Sequence, residues 1–261
     1  MKTIYFLSDF GNGDVYAGVC RAIIANKAPE AKLIDLAHDL PVGEITHAAY
    51  QIYAALPYLK TDGVILAVVD PGVGGDRRGL IVRGNRYWYV VPDNGLLSLA
   101  MELDTPIEAW ELDPAKYVGK STSATFHGRD VFAPAAALLA AGFPASQLGH
   151  KVSVDSLIRI GPKIVRGFEG EILTFDRFGN AITNLRPKEK PEAVHVVGRR
   201  IPFARTFSDV PYGKALAYLG SSGLVEIAVH GGSAQEAFRL LPGAAVSLQA
   251  PEKEPPPLIT D

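Results

Sequence analysis

A chain of 261 residues that is 48% hydrophobic and 21% charged can bury one large core or two modest ones, and its composition excludes a fibrous or disordered protein. The formal charge is -2, Lys and Arg are scattered, and no basic stripe interleaves with aromatics, so neither nucleic acid nor a bulk polyanion is an expected partner. The one cysteine, Cys20, excludes an intrachain disulfide framework and a CxxC zinc site, and reads as a small buried apolar residue. With only a short apolar run before Asp9 and no stretch of membrane-spanning length, the expectation is a cytoplasmic protein with no membrane partner.

In chain order, Ile4 to Ser8 predicts a first strand that ends at Asp9. Val15, Val19, Ala22 and Ile23 fall at helical spacing and predict a helix packed on the face they share. Lys32 to Leu36 reads as a second strand. Ile45, Ala48, Ala49, Ile52 and Leu56 then predict an amphipathic helix, and Gly63 to Val69 a third strand that ends at Asp70. This β-α-β-α-β order predicts an α/β domain with a mostly parallel sheet. Leu80 to Arg83 and Tyr87 to Val91 flank Gly84-Asn85 and read as a hairpin. Asn94 opens a helical stretch through Leu103, and a further helix runs from about Asp130 to Ala141, with Pro134 tolerable in its first turn.

From Gly167 the character changes. The apolar runs Glu171 to Phe175, Ala193 to Val197, Ala215 to Leu219 and Leu224 to Val229 are short and separated by Gly, Asn and Pro, which predicts a small antiparallel β domain. The expected division is therefore 1–150 as the α/β domain, 151–166 as a linker and 167–261 as the β domain. The tail from Pro251 to Pro257 reads as an extended, solvated end. No internal repeat is present.

Ligands of open parallel sheets bind beyond the carboxyl ends of the strands, and this sequence repeatedly puts acids there. Asp9 follows the first strand and Asp70 the third, while Asp14 lies in the Gly-rich turn Gly11-Asn12-Gly13-Asp14-Val15-Tyr16. Asp14 is equally suited to capping the next helix. The turn fails the dinucleotide fingerprint, because Tyr16 stands where its third Gly belongs, and the stretch Asp70 to Gly79 lacks the Gly-Lys-Ser/Thr end of a P-loop. That stretch instead carries a carboxylate at its start and Arg77-Arg78 near its end. It suits an anion-handling loop, or a surface hairpin with an ordinary ion pair. In Thr125-Phe126-His127-Gly128-Arg129-Asp130 the histidine stands out by its neighbours: Gly128 permits close approach, and Phe126 offers an apolar wall to a flat ligand. The other five histidines, His38, His47, His150, His195 and His230, show no local ligand spacing such as HxxxH.

Six segments taken in order carry a resemblance that covers nearly the whole chain: Ser8-Asp9-Phe10-Gly11, Val69-Asp70-Pro71-Gly72-Val73-Gly74, Pro92-Asp93-Asn94-Gly95-Leu96-Leu97, Phe126-His127-Gly128-Arg129-Asp130, Phe175-Asp176-Arg177-Phe178-Gly179-Asn180 and Gly220-Ser221-Ser222-Gly223. Together they resemble the S-adenosyl-L-methionine hydroxide adenosyltransferases, relatives of the fluorinase and chlorinase enzymes. The resemblance implies an α/β N-terminal domain, a β-barrel-like C-terminal domain, and a homotrimer with the substrate between the N-terminal domain of one subunit and the C-terminal domain of its neighbour. It implies that Asp9 holds the ribose hydroxyls, that Asp14 and Asp176 lie near the methionine ammonium, and that Ser221 lies near the amino-acid end. Phe178 and Phe207 would stack on adenine, Asn180 would bond its edge, and backbone groups around Val229 and Gly231 would meet it.

In the water-using members of that family an Asp, Arg and His set matches Asp70, Arg77 and His127, whereas the fluorinase has Tyr for this Asp and Tyr-Ser for His127-Gly128. His230 stands where the family has Asn, and Arg78 beside Arg77 leaves the guanidinium assignment open by one residue. The implied reaction is hydrolysis of S-adenosyl-L-methionine to adenosine and L-methionine, with no cofactor and no metal. The sulfonium leaves as a neutral thioether and needs no acid; the demand falls on activating water, whose pKa is about 15.7. Two other readings fit some of the same residues: a metal-dependent hydrolase using Asp9, Asp14, His38, Asp70 and His127, and a module that holds S-adenosyl-L-methionine or adenosine without turnover.

Overall fold

Both faces of the first sheet are covered, so its central strands do not alternate: every residue of β1 (Ile4–Ser8) and β3 (Val64–Val68) is buried. A computed structural model describes residues 2–118 and 123–250; the tail from Pro251 to Pro257 lies outside the described residues. The chain divides into two units, one ending at Gly161 and the other starting at Pro162.

In the first unit, β1 is followed by α1 (Tyr16–Lys27), β2 (Leu33–Ala37), α2 (Ile45–Ala55) and β3. Then come β4 (Gly79–Gly84), β5 (Trp88–Pro92), β6 (Pro106–Leu112), α3 (Ala133–Ala140) and β7 (Gly149–Val152). The sheet order is β2-β1-β3-β5-β4-β6-β7. The pairs β1 with β2, β1 with β3 and β3 with β5 are parallel, while β4 with β5, β4 with β6 and β6 with β7 are antiparallel. The expectation of a mostly parallel sheet is thus corrected to a mixed one. The cause is the Gly84-Asn85 hairpin, which reverses the chain and lets two further antiparallel strands add beyond it.

From β1 the chain steps to β2 on one side and then to β3 on the other, which makes the carboxyl ends of β1 and β3 a topological switch point. α1 and α3 cover one face, and α2 covers the other. The buried stripe of α1 is Ala17, Cys20 and Ile24; of the expected Val15, Val19, Ala22 and Ile23, Ile23 packs half-buried against the same core, while Val15 and Ala22 are exposed. Small side chains win this face because α1 packs on the alanine-rich α3 (Ala133, Ala136, Ala137 and Ala140). α2 does bury Ala48, Ala49 and Ile52 as its spacing predicts.

The helix expected over 94–103 is not formed; only Ala100–Glu102 makes a short 3-10 turn. Asn94 spends its side chain accepting from Leu96 N (3.2 Å), and Gly95 sits at φ +94°, outside helical backbone. The helix expected from Asp130 starts earlier, as a π turn over Gly128–Phe132 that runs into α3 with Pro134 in the first turn. Lys151 and Val152, placed in the expected linker, belong to β7 and pair with β6.

The second unit contains β8 (Glu169–Phe175), β9 (Ala181–Thr183), β10 (Ala193–Val196), β11 (Arg199–Pro202), β12 (Ala215–Leu219), β13 (Val225–Val229), α4 (Ala234–Phe238) and β14 (Ala245–Gln249). Its sheet, in the order β11-β10-β14-β8-β9-β13-β12, is antiparallel throughout. Just beyond β11, Phe203 bridges to Ala217 on β12, and Ala204 N donates to Ala217 O (2.8 Å), so the two edges meet and the sheet nearly closes into a barrel. Ile172, Val194, Ile201, Ile227 and Val246 fill its interior. Among the described residues no helix is long and apolar enough to cross a membrane.

Cys20 is 1% exposed, and burial pushes its thiol up from 9.0 to about 12. The native protein is therefore expected to resist a thiol reagent such as Ellman's at pH 8 and to release one equivalent of colour on unfolding in guanidinium. Rapid labelling of the native protein would contradict the packing of α1 on α3.

Candidate active site

Ser8 and Val68 lie side by side at the ends of parallel strands, so Asp9 and the Val69-Asp70 step emerge together at the switch point. Asp9 and Asp70 line a cavity of about 150 Å³ with Phe10, Gly43, Pro71, Phe126 and His127. Asp9 Oδ2 accepts from Gly43 N (2.9 Å), leaving its other oxygen for a ligand. Phe126 closes the apolar side, with its ring edge-on to Phe10 (5.8 Å) and Tyr16 (5.2 Å).

Arg77 joins the two remaining groups. Its Nε donates to both oxygens of Asp70 (2.9 Å each), and its Nη2 reaches Asp70 Oδ2 (2.5 Å) and His127 Nδ1 (2.6 Å). The Asp70 and Arg77 side chains are 6% and 12% exposed, and the guanidinium lies over the Phe132 ring at 5.3 Å. Because a guanidinium can only donate, His127 Nδ1 must accept, which fixes the neutral ring with its proton on Nε2. Burial, and next the charge of Arg77, hold the His127 imidazole below its ordinary value of 6.5.

Arg78 goes elsewhere: it pairs with Asp93, and its Nη2 donates to Ser156 O (2.7 Å). Of the two neighbouring arginines it is Arg77 that bonds Asp70 and His127, from behind the residues that line the cavity. The Pro92-Asp93-Asn94-Gly95 segment explains how. Asp93 draws Arg78 away, and Asn94 Nδ2 donates to Val69 O (2.8 Å), pinning the backbone just before Asp70. Two glycines allow the loops to close. A Cβ at Gly74 (φ +80°) would stand 2.4 Å from Ala124 O, and one at Gly128 would stand 2.6 Å from the Phe10 ring.

The second unit carries a separate cavity of about 610 Å³ lined by Asp176, Phe178, Asn180, Phe207, Tyr218, Val229 and Gly231. The Phe207 and Tyr218 rings lie 5.3 Å apart, and Phe178 is 74% exposed, so flat aromatic surface is available to a planar ligand. Asp176 is already engaged: Oδ1 accepts from Phe178 N and Asn180 N (2.9 Å each) and Oδ2 from Asn180 Nδ2 (2.7 Å). His230 donates from Nδ1 to Val210 O (2.9 Å).

Six of the residues expected at the adenine and methionine end thus share this cavity. Ser221 does not line it; it is exposed in the β12–β13 turn. Asp14 is exposed on its loop, does not line the first cavity, and does not cap α1, whose cap residue is Val15. Tyr218 was not foreseen. Its hydroxyl donates to the buried Glu226 (2.5 Å), a carboxyl that burial raises above the usual range. The only available signal was a Tyr and a Glu at facing positions of two apolar strands. The five residues named as metal ligands do not form one donor set: Asp9, Asp70 and His127 border the same cavity, but Asp14 is exposed on its loop, His38 has both ring nitrogens bonded, to Ser8 and Asp35, and Asp70 is held by Arg77. Among the described residues no group of three or more His, Cys, Asp or Glu side chains could hold a metal ion.

An α/β unit with a guanidinium-bridged carboxylate and imidazole at its switch point, joined to a barrel-like unit with an aromatic cavity, defines the class. Residues 4–149 match the family model of the SAM hydroxide adenosyltransferase N-terminal domain, and residues 170–247 match that of its C-terminal domain. The chain belongs to the S-adenosyl-L-methionine hydroxide adenosyltransferase family. It is 51% identical to an (R)-S-adenosyl-L-methionine hydrolase of Thermus thermophilus, over 95% of this chain and all of the relative. A fluorinase of Nocardia brasiliensis is 25% identical, over 94% of this chain and 96% of its own. Among solved structures, a conserved hypothetical protein from Thermus thermophilus superposes with a TM-score of 0.87 at 50% identity, over 95% of this chain and all of that one.

The hydrogen-bond pattern makes a spectroscopic expectation. Nitrogen-15 NMR should show His127 as the neutral Nε2–H tautomer at pH 7, titrating below 6.5. Arg77→Met should raise that midpoint, because removing a neighbouring cation favours the imidazolium, while the contribution of burial stays. A protonated His127 at pH 7, or a midpoint indifferent to Arg77→Met, would contradict the bridge.

Proposed function

We propose that this chain hydrolyses S-adenosyl-L-methionine to adenosine and L-methionine by attack of water at the ribose C5′. The observation that carries this reading is the Asp70, Arg77 and His127 assembly: binding a nucleoside calls for no buried carboxylate and neutral imidazole bridged by one guanidinium. The much higher identity to a named hydrolase than to a fluorinase supports water, not halide, as the nucleophile.

The leaving group departs as a neutral thioether, so the chemistry lies in the nucleophile. Water sits between Asp70 and His127. His127 donates from Nε2 and steadies the oxygen, and Asp70 accepts the proton as the oxygen–carbon bond forms and the water becomes acidic. Arg77 supplies fixed positive charge where hydroxide character develops. As negative oxygen meets sulfonium, charge is neutralised, and a cavity with little water favours that step over separated hydrated ions. Asp9 accepts the ribose hydroxyls, and the aromatic cavity of the second unit takes adenine. The reaction as drawn uses no metal and no cofactor.

The catalytic groups lie in one unit and the aromatic surface in the other. The family resemblance supports their meeting across the subunits of a cytoplasmic homotrimer, the first unit of one subunit facing the second unit of its neighbour. Asp14, Asp176 and Ser221 then serve the amino-acid end of the substrate. The name of the Thermus relative specifies the R sulfonium epimer, and the same preference is proposed here.

The test is chromatography for adenosine with each epimer, with and without EDTA. Adenosine and methionine in equal amounts, formed faster from the R epimer and unchanged by chelation, are expected. Asp70→Asn should lower kcat by about 10²-fold or more while calorimetry shows substrate still binding. Binding without turnover in the wild type would leave a nucleoside-binding module, and loss of activity on chelation would leave a metal hydrolase.

A further inference from the structure

A second chain of polar groups lies beneath the cavity and has no part in the chemistry above. Ser8 Oγ and His38 Nδ1 are 2.7 Å apart, His38 Nε2 and Asp35 Oδ1 are 3.0 Å apart, and Arg21 Nε donates to Asp35 Oδ1 at 3.1 Å. The order Ser, His, Asp is that of a hydrolytic triad, but Ser8 is 0% and His38 3% exposed, so no substrate reaches the hydroxyl. A nucleophilic role is excluded on access alone.

What the chain does touch is the loop that carries Asp9. Burial works to raise the Asp35 carboxyl, but hydrogen bonds from His38 and Arg21 outweigh it and hold the group ionised, below the usual range. Asp35 therefore accepts, His38 carries its proton on Nε2, and His38 Nδ1 accepts from the Ser8 hydroxyl. The same Ser8 oxygen accepts from Phe10 N (3.4 Å), so it is tied to the backbone on the far side of Asp9. The His38 carbonyl accepts from Gly11 N (2.8 Å), and the next residue, Asp39, accepts from Asn12 N (2.9 Å). The Phe6 ring packs edge-on to the imidazole at 4.5 Å, fixing its plane. Residues 8–12 are thereby stitched to 38–43 on both sides of the carboxylate, whose own oxygen is held by Gly43 N.

We propose that His38 is a positioning residue for ribose recognition: bonded to Ser8 and Asp35, it holds Asp9 so that the carboxylate can accept both ribose hydroxyls. The inference rests on the substrate reading above. Carboxylate recognition of a diol is sharply geometric, and a loop free to shift by about an ångström loses it, so the effect belongs to substrate discrimination and not to the chemical step.

The experiment compares S-adenosyl-L-methionine with its 2′-deoxyribose analogue in the wild type, His38→Ala, His38→Asn, Asp9→Ala and the Asp9→Ala/His38→Ala double variant. His38→Ala is expected to raise KM about tenfold with kcat within about threefold, and to lower the kcat/KM ratio between the two substrates toward that of Asp9→Ala. His38→Asn, whose amide can still accept from Ser8, should recover much of the ratio. The double variant should behave as Asp9→Ala alone. Equal loss on both substrates in His38→Ala, or a full additional loss in the double variant, would overturn the proposal. If His38→Ala fails to fold, Ser8→Ala and His38→Asn carry the same comparison. If the wild type forms no adenosine, the substrate reading fails separately, and calorimetry of adenosine against 2′-deoxyadenosine in the same variants still decides the role of His38.

Discussion

The guanidinium of Arg77 is the interaction on which the site depends. The Asp70 side chain is 6% exposed, and a carboxylate taken out of water is costly unless donors or an opposite charge meet it. Arg77 meets it with bonds to both oxygens, and its Nη2 also reaches His127 Nδ1 and thereby dictates the tautomer. One side chain thus fixes charge at the carboxylate and donor capacity at the imidazole. A lysine could supply the charge but not the planar fork that meets two partners at once.

The fold serves this contact through strand order. Asp9 and Asp70 are 61 residues apart by their numbering, yet they emerge on adjacent parallel strands because the chain reverses its direction of growth at β1. His127 arrives from the π turn that precedes α3, a helix irregularity of the kind often found at functional sites. The Pro92–Leu97 segment contributes without touching the cavity: Asp93 sequesters the wrong arginine and Asn94 secures the carbonyl before Asp70. Side chains of this sort explain why a short polar motif can matter as much as the residues in contact with a ligand.

The sequence made some features legible and hid others for physical reasons. Continuous apolar runs such as Ile4 to Ser8 could be read because a doubly covered strand leaves no room for polar residues. β6 was hidden, since Glu108 and Glu111 interrupt its alternation, and β9 has only three residues, too few to show a period. The mixed sheet followed from how strands pair, which composition does not encode. The face of α1 was misread because alanine, which decides how closely two helices approach, ranks low in any count of large apolar side chains. The motifs group Asp70, Arg77 and His127, and the structure brings the three side chains into hydrogen-bond reach; which arginine joins them needed coordinates, as neighbouring residues differ only in what awaits each side chain. Tyr218 and Glu226 escaped notice because their pairing exists only once β12 and β13 are in register.

Whether water itself attacks carbon is the claim that matters most. Asp70 could in principle attack C5′ and form an ester that water later opens at the carboxyl carbon, and every residue placement above would look the same. A single turnover in oxygen-18 water with enzyme in excess separates the two routes. Direct attack puts the label in the 5′-hydroxyl of adenosine and none in the protein, which is the expected result, since Arg77 and His127 are suited to partnering a developing hydroxide. Unlabelled adenosine, with the label found in the Asp70 carboxylate by mass spectrometry, would contradict it.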